Sequence, residues 1–262
     1  VEFLVVALTA MLASGLTLFS GFGLGTLLLP AFALFFPVDV AVAATAAVHG
    51  ANNVVKVALL GRHAERRLVL RFGLPAIGAA FLGAGLLGLL SGMEPLVRYQ
   101  LFGREAVVTP VKLVLAVLMA FFAAFELMPR FRQVSIDPRY LPVGGVLSGF
   151  FGGLSGHQGA LRSAFLAKLA SAPTSFVGTN AVIGLFVDAV RLTVYGAVIF
   201  GGEEGSLLGA PEWRLIGVGM VAAFTGVLVG KRLLHKVTMV WIQVITGTLL
   251  LLISLALGSG FL

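Results

Sequence analysis

The sequence has no cysteine and very little charge: 18 Lys and Arg and 11 Asp and Glu make up 11% of 262 residues. An ordinary soluble domain carries roughly 25%. The absence of cysteine excludes disulfides, thiolate metal sites and cysteine redox relays. The shortage of charge excludes a soluble fold of this length, which could not cover its surface. What is present instead is 59% apolar residues, 34 glycines and 21 phenylalanines, with a mean hydropathy of +1.06. That composition predicts an all-α integral membrane protein, because a helix satisfies its own backbone polar groups inside lipid. The four histidines at 49, 63, 157 and 235 are too scattered to predict a metal site, and no cofactor is expected. No nucleotide-binding loop is present, so direct use of ATP is not expected. The net charge of +7 does not predict nucleic-acid binding, since most Lys and Arg sit in short loops between apolar runs.

Two apolar stretches are too long for one crossing. Residues 3–36 contain no charged side chain and would make a helix of roughly 51 Å against a hydrocarbon core of about 30 Å. Both this stretch and 141–171 are broken by glycine, at Gly21, Gly23 and Gly25 in the first and Gly152, Gly153, Gly156 and Gly159 in the second. Each is expected to be a hairpin of two half-helices. Charge supports that topology. If each hairpin returns to its starting side, Arg62, Arg66, Arg67, Arg71, Arg130, Arg132, Arg139, Lys168, Lys231, Arg232 and Lys236 collect on one side. Arg98, Arg104, Lys112 and Arg214 stay on the other, with Glu203 and Glu204. Eleven against four makes the first side cytoplasmic, with both termini on the opposite side of a bacterial-type inner membrane. No cleavable signal is expected.

The chain also repeats. Ser14-Gly15, Gly25, Leu27, Thr45, Ala47, Val48 and Gly50 match Ser148-Gly149, Gly159, Leu161, Thr179, Ala181, Val182 and Gly184 at an offset of 134. After an indel, Ala79-Ala80-Phe81-x-Gly83 matches Ala222-Ala223-Phe224-x-Gly226. The first half, 1–134, is expected to hold the hairpin 3–36 and helices 40–60, 72–93 and 106–128. The second, 135–262, is expected to hold the hairpin 141–171 and helices 174–200, 213–230 and 237–262. An odd number of crossings per half inverts the second relative to the first. Eight to ten helices in two inverted repeats, each led by a broken hairpin, is a transporter architecture.

Polar groups inside apolar helices are costly and therefore informative. Thr45, His49, Asn52, Asn53 and Lys56 form one stripe at helical spacing. The matching helix carries Thr179, Asn180, Asp188 and Arg191, and the second hairpin carries His157, Gln158, Gly159 and Arg162 at its break. The first break has Gly23, Gly25 and Thr26 at the equivalent place. Half-helices starting at Gly25 and Gly159 would present unpaired N–H groups to an anion, and Arg162 would add a planar fork of donors. The embedded Lys56, Arg162, Arg191 and Asp188 sum to +2, which a bound dianion would neutralise. Each residue also has a structural alternative. The glycines fit close helix packing, Asp188 and Arg191 an i,i+3 pair, Lys56 a snorkelling side chain, His49 a core histidine, and Asn52 and Asn53 interhelical glue.

At these residues the sequence resembles the TauE/SafE family of sulfite-exporter-like permeases. The resemblance is carried by GFGLG at 21–25 with Pro30, AAT at 43–45, GGLSGHQGALRS at 152–163, FVGTN at 176–180 and Asp188-x-x-Arg191. It covers both halves. Leu24 and His157-Gln158 depart from the family's commoner glycine patterns. The resemblance implies movement of sulfur-containing anions such as sulfite or organosulfonates, without the cysteine relay of some related carriers.

The leading expectation is a secondary transporter of a small sulfur-containing oxyanion, working by alternating access in the bilayer. An anion channel and a membrane scaffold are the alternatives; a membrane-embedded enzyme would need an oriented nucleophile or a metal cluster. Protons are a candidate coupling ion through His49, His157 or Asp188, and a homo-oligomer is a candidate assembly.

Overall fold

In the computed structural model, residues 1–20, 24–101, 103–128, 137–198, 209–233 and 239–262 are described. The chain is mostly helical. The first long apolar stretch is two helices, α1 (Glu2–Ser20) and α2 (Leu24–Ala33), followed by α3 (Val38–Leu60). A short turn of helix, α4 (Arg66–Leu68), runs through a π-helical turn at Val69–Gly73 into α5 (Leu74–Ser91). The helix expected over 72–93 therefore begins at Arg66, and the whole Arg66–Ser91 segment is long and apolar enough to cross a membrane.

The segment expected to enter the next helix at 106 instead forms a two-stranded hairpin, β1 (Val97–Leu101) and β2 (Arg104–Val108). Val97 pairs with Val108 and Leu101 with Arg104, and Gly103 turns between them at φ 75°. Only from Pro110 does the chain become helical, as α6 (Pro110–Leu127). The proline lacks a donor that the first turn would leave unused, and Thr109 caps the helix by accepting from Lys112 N at 3.3 Å.

The second long apolar stretch divides into α7 (Leu141–Ser155) and α8 (Gln158–Leu166). Then come α9 (Pro173–Val198), α10 (Ala210–Leu233) and α11 (Met239–Gly258). Among the described residues, the segments Arg66–Ser91, Pro110–Leu127, Pro173–Ala197 and Pro211–Val229 have the length and composition of membrane spans. The exterior is apolar, with Leu82 and Leu89 70% and 71% exposed, while Thr45, Asn52 and Asp188 are fully buried. This is the reverse of a soluble fold and suits a lipid surround.

Small residues set the helix pairs. On α7, Gly145, Gly149 and Gly153 recur every fourth residue and face the carbonyls of Phe72, Ala76 and Ala80; a Cβ at any of them would overlap α5 or the turn before it. The numbers rise together, so α5 and α7 run parallel. In the same way α1 runs parallel to α10, with Gly226 against the Met11 carbonyl and Gly219 against Val6 and Phe32. Between them α3 and α9 run antiparallel: Gly50 meets Asp188, and Gly178 meets the carbonyl of Leu60. Close backbone approach of this kind is how helices associate where apolar burial gives no advantage over lipid.

Candidate functional site

The break in the second hairpin is a single glycine conformation. Gly156 lies at φ 84°, a left-handed geometry that side chains resist, and its N–H donates to Gly152 O at 2.9 Å to close α7. His157 follows, and α8 starts at Gln158. The first hairpin's return helix reaches this point: a Cβ on Gly25, near the start of α2, would lie 3.2 Å from Gly156 O. Thr45 Cγ2 and His49 Cδ2 of α3 are 3.9 and 4.0 Å from the same position. The two hairpins therefore meet, beside the polar stripe of α3.

Asp188 on α9 is the hub of the surrounding polar groups. Its Oδ2 lies 2.6 Å from His49 Nδ1 and accepts from Asn53 Nδ2 at 2.9 Å, both on α3. Its Oδ1 accepts from Gln158 Nε2 on α8 and from Arg191 Nη1 on α9, each at 3.0 Å. One carboxylate thus joins three helices with its acceptor positions filled. The chain of bonds continues in both directions. Arg162 Nη1 donates to Gln158 Oε1 at 3.1 Å, and Arg191 Nε reaches Tyr195 OH at 3.4 Å, which in turn donates to Gly153 O. Lys56, Arg162 and Arg191 are all buried, against the carboxylate of Asp188, and their formal charges sum to +2.

Not every polar atom here is used. Among the described residues, the donors Arg162 Nε, Arg191 Nη2 and Asn52 Nδ2 are buried without a partner, as are His157 Nε2, Thr26 Oγ1, Thr45 Oγ1 and both amide atoms of Asn180. An unsatisfied buried polar group costs roughly 1–3 kcal/mol, more when charged. So many in one region, on the cationic side of the ledger, suit an anion with several acceptor oxygens. Among the described residues no group of three or more His, Asp or Glu is arranged to hold a metal ion.

The residues expected from the sequence separate into four sets. Gly25, His49, Asn53, Gln158, Asp188 and Arg191 meet at the hairpin contact, with Arg162 attached through Gln158. Gly159 lies in the first turn of α8 beside them, and Lys56 is buried one turn beyond Asn53 on α3. Asn52 accepts from Ser14 Oγ of α1 at 2.9 Å, and Thr26, Thr45, His157 and Asn180 are buried with unpartnered atoms. Thr179 is placed elsewhere: its Oγ1 accepts from Glu65 N at 2.9 Å, tying α9 to the turn that follows α3. Gly23 lies outside the described residues.

Two participants were not singled out from the sequence. Tyr195 follows Arg191 by four residues, a spacing that would have flagged it as a neighbour on the same helix face. Phe122 of α6 stacks on the His157 ring, centroids 5.1 Å apart and planes 8° from parallel, a contact between elements that no local pattern announces.

The family model for the sulfite exporter TauE/SafE matches residues 6–257. That is nearly the whole chain, and the chain belongs to this family, as a multi-pass membrane protein of a transporter family. No curated protein matches the sequence.

Proposed function

We propose that this member of the sulfite exporter family is a secondary transporter of a small sulfur-containing oxyanion. The anion would bind near the membrane midplane, where the two hairpins meet, and be exposed alternately to either side. The observation that carries this reading is the set of buried, unpartnered donors on Arg162, Arg191 and Asn52 within a cluster of net positive charge. A site of that kind is expensive when empty and favourable when an oxyanion fills it.

Two inverted repeats give the site its means of opening. The parallel packing of α5 on α7 has its counterpart in α1 on α10, with the repeated glycines Gly83 and Gly226 each against a neighbouring backbone. These pairings cross between the halves, as they would if a pseudo-twofold axis passed between α3 and α9. Rocking one half against the other would then alternate access around a fixed centre. The eleven-to-four bias of basic loop residues supports a cytoplasmic face at the end of α3 and the start of α9, with both termini on the other side.

The test is uptake of labelled sulfite into proteoliposomes under an imposed pH gradient, with unlabelled sulfonates and sulfate as competitors. Saturable uptake that responds to the gradient is expected. Non-saturable flux would make the protein a channel, and no flux from folded protein would overturn the reading. Arg162→Ala should weaken anion binding by roughly ten- to a hundredfold, the worth of a hydrogen bond to a charged group, while leaving the helix content intact.

A further inference from the structure

His157 contributes a group that an oxyanion alone would not satisfy. The ring is 1% exposed, held flat on Phe122, and sits directly after Gly156, against which the Arg191 guanidinium and the Gly25 position both close. Its Nδ1 is 3.0 Å from Ser155 Oγ. Ser155 has one hydroxyl proton, and it is given to Phe151 O at 3.0 Å. The serine oxygen is therefore an acceptor toward His157, and Nδ1 carries the hydrogen. In the neutral ring Nε2 is then a bare lone pair. It is buried and has no partner among the described residues.

The unpartnered cationic groups at the break are donors: Arg191 Nη2, and Arg162 Nε one turn along α8. They call for acceptor oxygens. His157 Nε2 calls for the opposite, an O–H or N–H. An alkylsulfonate or a bare sulfite dianion offers acceptors only, whereas hydrogensulfite offers both.

Resting on the transporter reading above, we infer that His157 is a specificity-determining residue that selects oxyanions carrying a proton donor, by accepting that hydrogen at Nε2. A ligand without the donor leaves a buried lone pair unmet, which is the arrangement that lets a polar site discriminate strongly between near-isosteres.

Sulfamate and methanesulfonate make the comparison directly. Both are monoanions with three sulfonyl oxygens, and they differ in an NH₂ against a CH₃. Binding of each to the purified full chain in lipid nanodiscs, measured by calorimetry at one pH, should favour sulfamate by roughly ten- to a hundredfold. In His157→Phe, which keeps the stack on Phe122 and removes the acceptor, the preference should vanish while methanesulfonate binding is retained. His157→Asn should lose the preference too, since its amide can replace the Nδ1 contact with Ser155 but does not reach the Nε2 position. Equal affinities in the unaltered protein would overturn the inference and leave the anion site standing. Binding of neither anion by protein with a normal thermal transition would overturn the anion site itself, and the inference with it.

Discussion

The two hairpins meet at one point and bring different chemistry to it. On α2, Leu24–Ala33, every residue is buried and Thr26 is the one polar side chain. The return helix of the second hairpin, α8, carries Gln158, Arg162 and Ser163 in nine residues and follows directly on Ser155 and His157. The first hairpin thus offers backbone and shape, and the second offers charge. The helices behind them divide in the same sense: α3 presents His49, Asn52 and Asn53 with Lys56 at the far end, while α9 presents the ion pair of Asp188 and Arg191. Electrostatics gives a reason for this division. A matching pair of buried arginines in the first half would need its own carboxylate, and each additional ion removed from water costs several kcal/mol. Repeated geometry can be kept at little cost; repeated charge cannot.

The sharpest way to break the comparison is to remove the charge from the second half. Asp188→Ala would leave Arg191 without its carboxylate and would strip His49, Asn53 and Gln158 of their shared acceptor. A loss of about 3–5 kcal/mol is expected, the cost of breaking one side of a buried pair, and is read as a large drop in the thermal transition in detergent. Lys56→Met on the first half should shift the same transition by no more than about 1 kcal/mol, as an aliphatic stem of similar volume replaces another. Equal losses would mean that the halves share the electrostatic burden.

A second comparison asks where the halves are alike. Gly83→Leu would drive a side chain into the Phe150 backbone of α7, and Gly226→Leu into the Met11 backbone of α1. Overpacking against backbone should cost about 3 kcal/mol or more in each, measured as loss of the monodisperse species in size-exclusion chromatography. The two effects should match under the proposed inverted repeat, which makes Gly83 and Gly226 equivalent positions. A large loss at Gly83 alone would show that α1 and α10 can separate where α5 and α7 cannot.

How much of this could be read from the sequence depended on how local the cause was. The glycine run at 152–159 marked the break between α7 and α8, since a left-handed turn at Gly156 is a property of a few consecutive residues. The stripe on α3 and the i,i+3 placing of Asp188 and Arg191 were equally local. What Asp188 does besides pairing with Arg191 was not legible, because His49 and Asn53 lie 139 and 135 residues away and only the antiparallel packing of α3 on α9 brings them together. Thr179 shows the converse. Its match to Thr45 in the repeat suggested a place in the cradle, but it lies in the second turn of α9 where Glu65 N reaches it. The β-hairpin had a signal that the apolar background obscured. Val97, Tyr99 and Leu101 alternate with Arg98 and Gln100 ahead of Gly103, a period of two, and the pair is held by Tyr99 OH donating to Ser259 O at 2.6 Å and Val107 N to Gly260 O at 3.1 Å.

The finest comparison between the halves concerns two serines that the sequence matches at the offset of 134, Ser14 and Ser148. Ser14 Oγ donates to Asn52 Oδ1 at 2.9 Å, from α1 to α3, and Ser148 Oγ donates to Gln158 O at 3.0 Å, from α7 to α8. The acceptors differ in what they have left. The Gln158 carbonyl also lies in the helical ladder of α8, so Ser148→Ala removes a second bond from a group that keeps its first, and should cost about 0.5–1 kcal/mol. Asn52 is fully buried and its Nδ2 is already without a partner, so Ser14→Ala also takes a donor from its carbonyl oxygen and should cost about 1–3 kcal/mol. Asn52 also loses the bond that orients its amide. Anion affinity should therefore fall in Ser14→Ala and hold in Ser148→Ala, with thermal transition and binding measured on the same samples. The opposite order would place the orienting role on the second hairpin and leave the first with packing alone.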